Sequence, residues 1–239
     1  MLLVAVYLAL RISRLDETCL WFDEIFSVHA ASQPWGSILS FVALDLIHPP
    51  LFYLTLKAWI TVGGDGVVWL RGLPIVFSVL AILPLLLLLK ELGQSFNVML
   101  SSICLLIVNG SILKYSLEVR MYSLMLCLSL FSMWLFVKFA ERRTSILPLL
   151  AVNILLVYTH YFGWFMIASE VAAAVLFHRE SWKKVAAMSA AVFAAFLPWA
   201  AAVLNTSVSG SGLAQNIGWM ERPGPRDACG QRRTLLHRR

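Results

Sequence analysis

Long apolar runs dominate the chain and predict helices that cross a membrane. A helix needs about 20 residues to cross roughly 30 Å of hydrocarbon. The predicted spans are residues 67–89, 97–113, 121–140, 146–158, 162–177 and 185–204. Residues 1–10 form another apolar segment, without the charged start or cleavage site of a signal peptide, which indicates a further span. The pattern therefore predicts an all-α, polytopic transmembrane helical bundle of about seven spans.

Residues 11–66 differ from the rest, because acidic and basic residues interrupt the apolar positions. This mixture predicts a large first external loop that contains interfacial helices, one of them at residues 50–62. If that segment lies flat on the membrane, three basic loops share the opposite side: residues 90–94, 141–144 and 178–184. Lys and Arg favour the cytoplasmic side, so the acidic first loop is expected on the non-cytoplasmic side.

Composition indicates that the chain lies in a bilayer and that its basic charge is concentrated at the C-terminal end. Of the 239 residues, 60% are hydrophobic and 13% are charged, and the mean hydropathy is +0.80. A soluble domain of this length cannot bury so much apolar surface, so the bilayer is the expected solvent. Of the formal charge of +6, the six arginines and two acids of residues 221–239 supply four, which leaves +2 for residues 1–220.

We therefore divide the chain into a membrane domain, residues 1–220, and a basic tail, residues 221–239. The tail has neither helical periodicity nor an apolar span, which predicts a disordered or non-native segment. Its arginines have no accompanying aromatic or helical basic face, which argues against nucleic-acid binding.

Two motifs in the first loop carry candidate chemistry. In LWFDE, Asp23 and Glu24 are adjacent, and neighbours on a helix point about 100° apart, so one acid can face a ligand while the other orients it or pairs with a cation. In DLIHPP, Asp45 and His48 precede two prolines, which end one helix and suit the start of another. Solvated acids at a membrane surface and a purely structural proline turn are the alternatives, and spacing does not decide.

Two external turns add charged and aromatic residues. In YSLEVRMY, Glu118 and Arg120 are two residues apart and do not pair on a regular helix, so Arg120 can meet another anion. The alternative is an interfacial arginine that reaches lipid phosphate. In YTHYFGW, His160 lies in an aromatic belt and is either a functional group or an interfacial bystander. The predicted topology brings five of these residues to one membrane face: Asp23, Asp45, His48, Arg120 and His160.

Five motifs follow one another in the chain: LWFDE, DLIHPPLFYL, WLRGLPIVFSVLAIL, YSLEVRMYSL and YTHYFGWF. In this order they resemble motifs of the GT-C glycosyltransferases of the dolichyl-phosphate-mannose protein mannosyltransferase type, especially their bacterial relatives. Each motif is weak alone, and the series is more specific than any of its parts. The similarity covers roughly residues 1–220.

The resemblance implies a membrane glycosyltransferase that moves a sugar from a polyprenyl-phosphate-linked donor to an acceptor hydroxyl, with inversion. It assigns Asp23 as the catalytic carboxylate and Glu24 as its companion, because a positioned base activates a weak hydroxyl nucleophile. Cations stabilise the departing lipid phosphate, and the candidates are Arg71, Arg120 and His48. The supporting residues are Asp45, Glu118, Tyr122 and His160. The active site is expected on the non-cytoplasmic side of a plasma (inner) membrane, in a multi-pass protein.

No cofactor is required by the sequence, and no ligand spacing demands a metal, although a divalent metal is compatible with it. The expected partners are the lipid-linked donor, the bilayer and an acceptor that is a protein, a lipid or a glycan. Relatives are longer, and residues 1–12 make a helix of only about 18 Å. We therefore expect apolar residues to be encoded before Met1, and further spans in a shifted frame after about Arg222.

Two other classes of function fit the same pattern. Charged residues near membrane helices can mark the path of a transporter or lipid flippase. Against that interpretation, the recognised ionisable residues cluster at one face, and the sequence contains no inverted repeat. A noncatalytic membrane subunit or an inactive fragment is the second alternative, since relatives carry additional spans.

Overall fold

The computed structural model describes residues 2–13, 15 and 19–208, and the basic tail expected at residues 221–239 lies outside the described residues. The described residues form helices and no strand, which confirms the all-α prediction. The helices are α1 (Leu2–Ile12), α2 (Phe22–Ser32), α3 (Ile38–Asp45), α4 (Leu51–Gly63), α5 (Val67–Leu80), α6 (Ile82–Glu91), α7 (Phe96–Val108), α8 (Gly110–Tyr115), α9 (Tyr122–Ala140), α10 (Leu147–Thr159), α11 (Gly163–Phe177) and α12 (Trp182–Val208).

Within the described part of the chain, three helical segments are long and apolar enough to cross a membrane by length and composition. They are Val67–Glu91, which joins α5 and α6, Tyr122–Ala140 and Trp182–Thr206. Helices α1, α4, α7, α10 and α11 are apolar but have only 10–17 residues. Some helices are thus suited to span a membrane, as expected, while the described residues do not confirm the seven spans that the apolar runs predicted.

Asn109 corrects one of the predicted spans. A single helix over residues 97–113 is wrong, because the backbone leaves the helical region at Asn109 with φ −66° and ψ 115°. The Asn109 side chain then accepts a hydrogen bond of 3.0 Å from the Ile112 amide and caps a new helix, α8. Elsewhere, the Pro49-Pro50 pair follows the expected pattern, because α3 ends at Asp45 and α4 begins at Leu51.

Lys57 on helix α4 binds the C-terminal end of α2. Lys57, which is buried, donates from Nζ to the carbonyl oxygens of Ala31, at 3.2 Å, and Gln33. These carbonyls lie at the C-terminal end of α2, where a cation is favourable because the last carbonyls have no helical partner. The contact therefore fixes the end of α2 opposite to the end that carries Asp23 and Glu24.

Two tryptophans join α4 to α5. The rings of Trp59 and Trp69 stack with their centroids 4.4 Å apart. Each indole N–H donates to the backbone carbonyl of the other residue, at 2.7 Å from Trp59 and 2.9 Å from Trp69. Because Arg71 lies two residues beyond Trp69, this pair also fixes the start of the helix that supplies a candidate site residue.

The main hydrophobic core packs α2, α3 and α4 against the later helices. It contains Phe26, Phe52, Leu70, Met121 and Leu156, among others. On the outside, large apolar side chains remain exposed, including Phe96, Val108, Phe165 and Phe177. Outward-facing apolar side chains of this size suit contact with lipid tails rather than water.

Candidate active site

The N-terminal end of α2 positions Glu24 inside the protein. Its carboxylate accepts one hydrogen bond of 3.1 Å from the Trp21 amide, in the first turn of the helix. It accepts a second, of 2.9 Å, from the amide of Val119, which lies 95 residues later in the loop between α8 and α9. Glu24 is only 1% exposed. Both carboxylate oxygens are thus occupied, and Glu24 ties α2 to the loop that carries Arg120.

Arg71 neutralises part of the charge on Glu24. Its Nη2 lies 3.7 Å from Glu24 Oε2, and both side chains are buried. Arg71 also donates to the carbonyl oxygens of Leu15, at 2.6 Å, and Cys19, at 3.4 Å. These contacts join Leu15 and Cys19 to α5, and the phosphate-binding role that the motif predicts for Arg71 stays a prediction.

Asp23 differs from this buried pair in its exposure and in its contacts. It is partly exposed, and no hydrogen bond or ion pair to the described residues engages its carboxylate. Its backbone carbonyl accepts hydrogen bonds from Ser27 Oγ at 2.9 Å and from Arg120 Nη1 at 3.2 Å. The two adjacent acids are therefore divided as their helical spacing predicted, with Glu24 buried and Asp23 open to a ligand.

Arg120 is a buried cation that lacks a carboxylate partner among the described residues. Its Nη1 donates to the Asp23 carbonyl and to Ser27 Oγ, each at 3.2 Å. Its Nη2 donates to His48 Nε2 at 3.2 Å, and its buried Nε has no hydrogen-bond partner within the described part of the chain. Neutral groups hold the guanidinium, so its positive charge is available to an anion.

His48 and Asp45 orient Arg120 from the other side. An arginine N–H can only donate, so His48 Nε2 accepts and the neutral ring carries its proton on Nδ1. That Nδ1 lies 3.5 Å from Asp45 Oδ2. Between them, Leu46 adopts the left-handed conformation with φ 60°, which turns the chain back after α3. Asp45, His48 and Arg120 thus form one chain of polar contacts.

His160 closes the site from the turn between α10 and α11. Its ring centroid lies 5.5 Å from that of His48 and 6.3 Å from that of Tyr122. Its Nδ1 accepts a hydrogen bond of 3.0 Å from the Phe162 amide, so Nε2 carries the proton of the neutral ring. Burial, together with the positive charge of the nearby Arg120, lowers the pKa of His160 to about 4. The ring is therefore neutral near pH 7 and offers a hydrogen-bond donor.

Glu118 lies at the edge of the same loop. Its Oε1 is 3.6 Å from Lys114 Nζ, while its buried Oε2 has no hydrogen-bond partner among the described residues. Burial raises the pKa of Glu118, with Lys114 acting in the opposite direction. As the spacing predicted, Glu118 and Arg120 do not form an ion pair with each other. Glu118 instead contributes its carbonyl oxygen, which accepts from the Arg120 amide at 2.7 Å.

Two site residues escaped the sequence analysis. Ser27 accepts from Arg120 and donates to the Asp23 carbonyl, and its position one helical turn after Asp23 was the available signal. Tyr53 is fully buried, and its hydroxyl has no hydrogen-bond partner in the described part of the chain. Burial raises the pKa of Tyr53, and the charges of Arg120 and Asp45 also act on it, so the hydroxyl belongs to this cluster.

The site thus combines a partly exposed carboxylate, Asp23, with a buried cation, Arg120, that forms no ion pair with the described residues. No group of three or more His, Cys, Asp or Glu side chains in the described residues is arranged to hold a metal ion. In comparisons with known proteins, no family model, curated protein or solved structure matches this chain.

Proposed function

We propose that this chain is a membrane glycosyltransferase that uses a polyprenyl-phosphate-linked sugar as its donor. The observation that carries the proposal is the position of the Arg120 guanidinium next to Asp23, whose backbone carbonyl it contacts. Arg120 is a buried cation that donates hydrogen bonds to neutral groups of Asp23, Ser27 and His48. The carboxylate of Asp23 itself has no hydrogen bond or ion pair to the described residues. A phosphate anion and a hydroxyl nucleophile are the two ligands that these groups suit, and the resemblance to GT-C enzymes supports the same pair.

In this reaction the Asp23 carboxylate removes the proton from the acceptor hydroxyl as that oxygen bonds to the anomeric carbon. The bond between the anomeric carbon and the phosphate oxygen breaks, and its electron pair stays on the lipid phosphate. The guanidinium of Arg120 and the Nε2–H of His160 stabilise that charge. Displacement in one in-line step inverts the anomeric configuration. No general acid is needed, because the leaving group departs as a stable anion.

Glu24 and Arg71 act one step away from the ligand in this proposal. Glu24 holds the Arg120 loop through the Val119 amide, and Arg71 compensates its buried charge. Asp45 orients His48, which in turn orients Arg120. We assign these four residues to positioning, together with Glu118, and we assign Tyr122 to the aromatic wall beside His160.

The proposed membrane arrangement has about seven spans, with α2, α3 and α4 at the non-cytoplasmic surface of a plasma (inner) membrane. Two ion pairs support a common face for the three basic loops. Arg143 Nη1 lies 2.6 Å from Glu91 Oε1, and Arg142 pairs with Glu180. These contacts join the loops after α6, α9 and α11. The Lys and Arg residues of these loops favour a position on the cytoplasmic side. The Asp23 cluster then faces an externally presented lipid donor.

A transporter or flippase remains the second candidate function because of one buried acid. Glu170 lies in the middle of α11, is 3% exposed and escaped the sequence analysis. An ionisable residue within a membrane helix can mark a transport path. The transferase is favoured because the open carboxylate and the available cation lie together in the first-loop cluster.

The proposal is tested by incubating membranes that contain the chain with a panel of radiolabelled polyprenyl-phosphate sugars. We expect release of unlabelled lipid phosphate, with label moving to a lipid, protein or glycan fraction. Asp23→Asn should abolish this release. Asp65→Asn, at an exposed acid in the same predicted loop, is the matched control and should retain it. Equal release from the wild type and from Asp23→Asn would reject Asp23 as the base.

A further inference from the structure

Three buried polar side chains from three different helices meet inside the bundle. Ser132 lies on α9, Asn153 on α10 and Glu170 on α11, and none is more than 3% exposed. Ser132 Oγ is 2.6 Å from Asn153 Oδ1, and Asn153 Nδ2 is 2.7 Å from Glu170 Oε2. Ser132 Oγ also contacts Glu170 Oε1 within hydrogen-bond distance. The three side chains therefore form a closed ring of three contacts.

Counting protons around this ring fixes the ionisation state of Glu170. Each of the three contacts needs one hydrogen between its two heavy atoms. The Ser132 hydroxyl has one hydrogen to donate, and the Asn153 amide points one N–H into the ring. The third hydrogen must come from Glu170, because an ionised carboxylate can only accept.

The count does not depend on which way the Asn153 amide is turned. With Nδ2 toward Glu170, Ser132 donates to Asn153, and Glu170 must donate to Ser132. With the amide reversed, Asn153 donates to Ser132, Ser132 donates to Glu170, and Glu170 must donate to Asn153. The orientation described is supported by Met188, whose Sδ lies 3.7 Å from Asn153 Nδ2 and accepts its second N–H.

The surroundings of the ring agree with a neutral acid. Glu170 forms no ion pair with any described residue. The titratable side chains on the packed helices are Tyr122, Cys127 and Lys138 on α9, Tyr158 on α10, and Lys183 and Lys184 on α12. Of the lysines, Lys138 lies over the Trp134 ring at 4.9 Å and Lys183 over the Trp182 ring at 6.0 Å. An unpaired charge at this depth would carry a large desolvation cost.

We propose that Glu170 is a proton-binding site: it carries a proton at neutral pH and donates it to the ring that locks α9, α10 and α11 together. The ligand of this site is a single proton, held at Glu170 Oε1 and directed at Ser132 Oγ. The site is separate from the Asp23 cluster and does not depend on the proposed reaction. A neutral acid also allows α11 to occupy the membrane without an uncompensated charge.

The test is infrared spectroscopy of the purified full chain in detergent, as the difference between the wild type and Glu170→Gln. At pH 7 we expect the wild type to show the carbonyl band of a protonated carboxylic acid that the variant lacks. Glu170→Gln should unfold at the same temperature as the wild type, because its amide N–H can replace the acid proton toward Ser132. Ser132→Ala leaves two buried polar groups without partners and should lower the unfolding temperature by at least about 4 °C.

Three outcomes would overturn the proposal. A carboxylate band in the difference spectrum at pH 7 would show that Glu170 is ionised. A Glu170→Gln variant that fails to accumulate in membranes, or that unfolds well below the wild type, would show that an uncharged isostere cannot complete the ring. Ser169→Ala is the control for loss of a hydroxyl next to the ring, because Ser169 is exposed and its hydroxyl donates to a carbonyl of its own helical turn. This variant should leave the infrared spectrum and the unfolding temperature unchanged.

Discussion

Arg120 and His48 lie 72 residues apart in the chain and share a hydrogen bond of 3.2 Å in which Arg120 Nη2 donates to His48 Nε2. This bond requires an unprotonated Nε2, so His48 cannot carry a positive charge while it orients Arg120. The contact from His48 Nδ1 to Asp45 then fixes the ring in the matching tautomer. The local positive charge therefore lies on Arg120, where the proposed lipid phosphate binds.

The first prediction separates the two adjacent acids by stability. Glu24→Ala removes one partner of a buried ion pair and leaves the Trp21 and Val119 amides unpaired, so it should lower the free energy of unfolding by about 3–5 kcal/mol. Asp23→Ala loses only a favourable charge in the first helical turn and should lower it by less than about 1 kcal/mol. Thermal unfolding of the purified variants in detergent measures both, and equal losses would contradict the division of roles.

The second prediction concerns acid pH and His160. The folded protein holds the pKa of His160 at about 4, below the ordinary value of 6.5, so the unfolded chain binds more protons between these values. Stability should therefore be lost as the pH falls from 6.5 toward 4. His160→Asn should weaken this dependence, because Asn can accept from the Phe162 amide but does not titrate. Identical pH dependence of the unfolding temperature in both proteins would count against a buried neutral His160.

The third prediction tests the packing of α4 against α5. A Cβ added at Gly63 would lie 2.1 Å from Trp69 Cε2, so Gly63→Ala must displace the ring that stacks on Trp59. Overpacking of this kind costs about 1–3 kcal/mol, and it should outweigh the gain in helix propensity. Gly110→Ala is the control, because a Cβ there meets nothing within 4 Å. An unfolding temperature for Gly63→Ala at or above that of Gly110→Ala would show that the tryptophan pair does not constrain the interface.

The all-helical fold was predictable, because a long continuous apolar run in lipid satisfies its backbone hydrogen bonds within the segment by forming a helix. The sequence also anticipated the helix boundary at Pro49-Pro50. The prediction of one helix at residues 97–113 was wrong, because hydropathy alone does not indicate that Asn109 caps a new helix. Average hydropathy reports where a chain is apolar, whereas a single side-chain cap decides where the helix is interrupted.

Within the site, the division of Asp23 from Glu24 was predictable from helix geometry, while the partner of Glu24 was not. Val119 donates to Glu24 through its backbone amide, and every residue type except proline has such a donor, so the sequence does not identify this partner. The Ser132, Asn153 and Glu170 ring was missed for a different reason. Each member is an isolated polar residue in its own apolar run, and only the packing of three helices brings them together.

The fourth prediction concerns orientation in the membrane. Single cysteines that replace Arg142 and Lys183 should react with a membrane-impermeant maleimide only after the membrane is permeabilised. A cysteine in place of Asp65 should react in intact cells, and the proposed orientation places Asp23 and Thr159 on that same external side. The parent chain with its native cysteines gives the background. Labelling of the Asp65 position only after permeabilisation would place the first loop in the cytoplasm and remove access to an external lipid donor.

The central claim is tested most directly by measuring donor binding and sugar transfer side by side on the purified chain. Asp23→Asn should bind a polyprenyl-phosphate sugar like the wild type and fail to transfer the sugar. Arg120→Ala should weaken donor binding by roughly tenfold to a hundredfold, since a hydrogen bond to a charged group contributes about 1.5–3 kcal/mol, and Arg120→Lys should recover only part of it. Arg179→Ala, at an exposed arginine on the opposite loops, should change neither quantity. Transfer at the wild-type rate by Asp23→Asn, or unchanged donor binding by Arg120→Ala, would contradict the account.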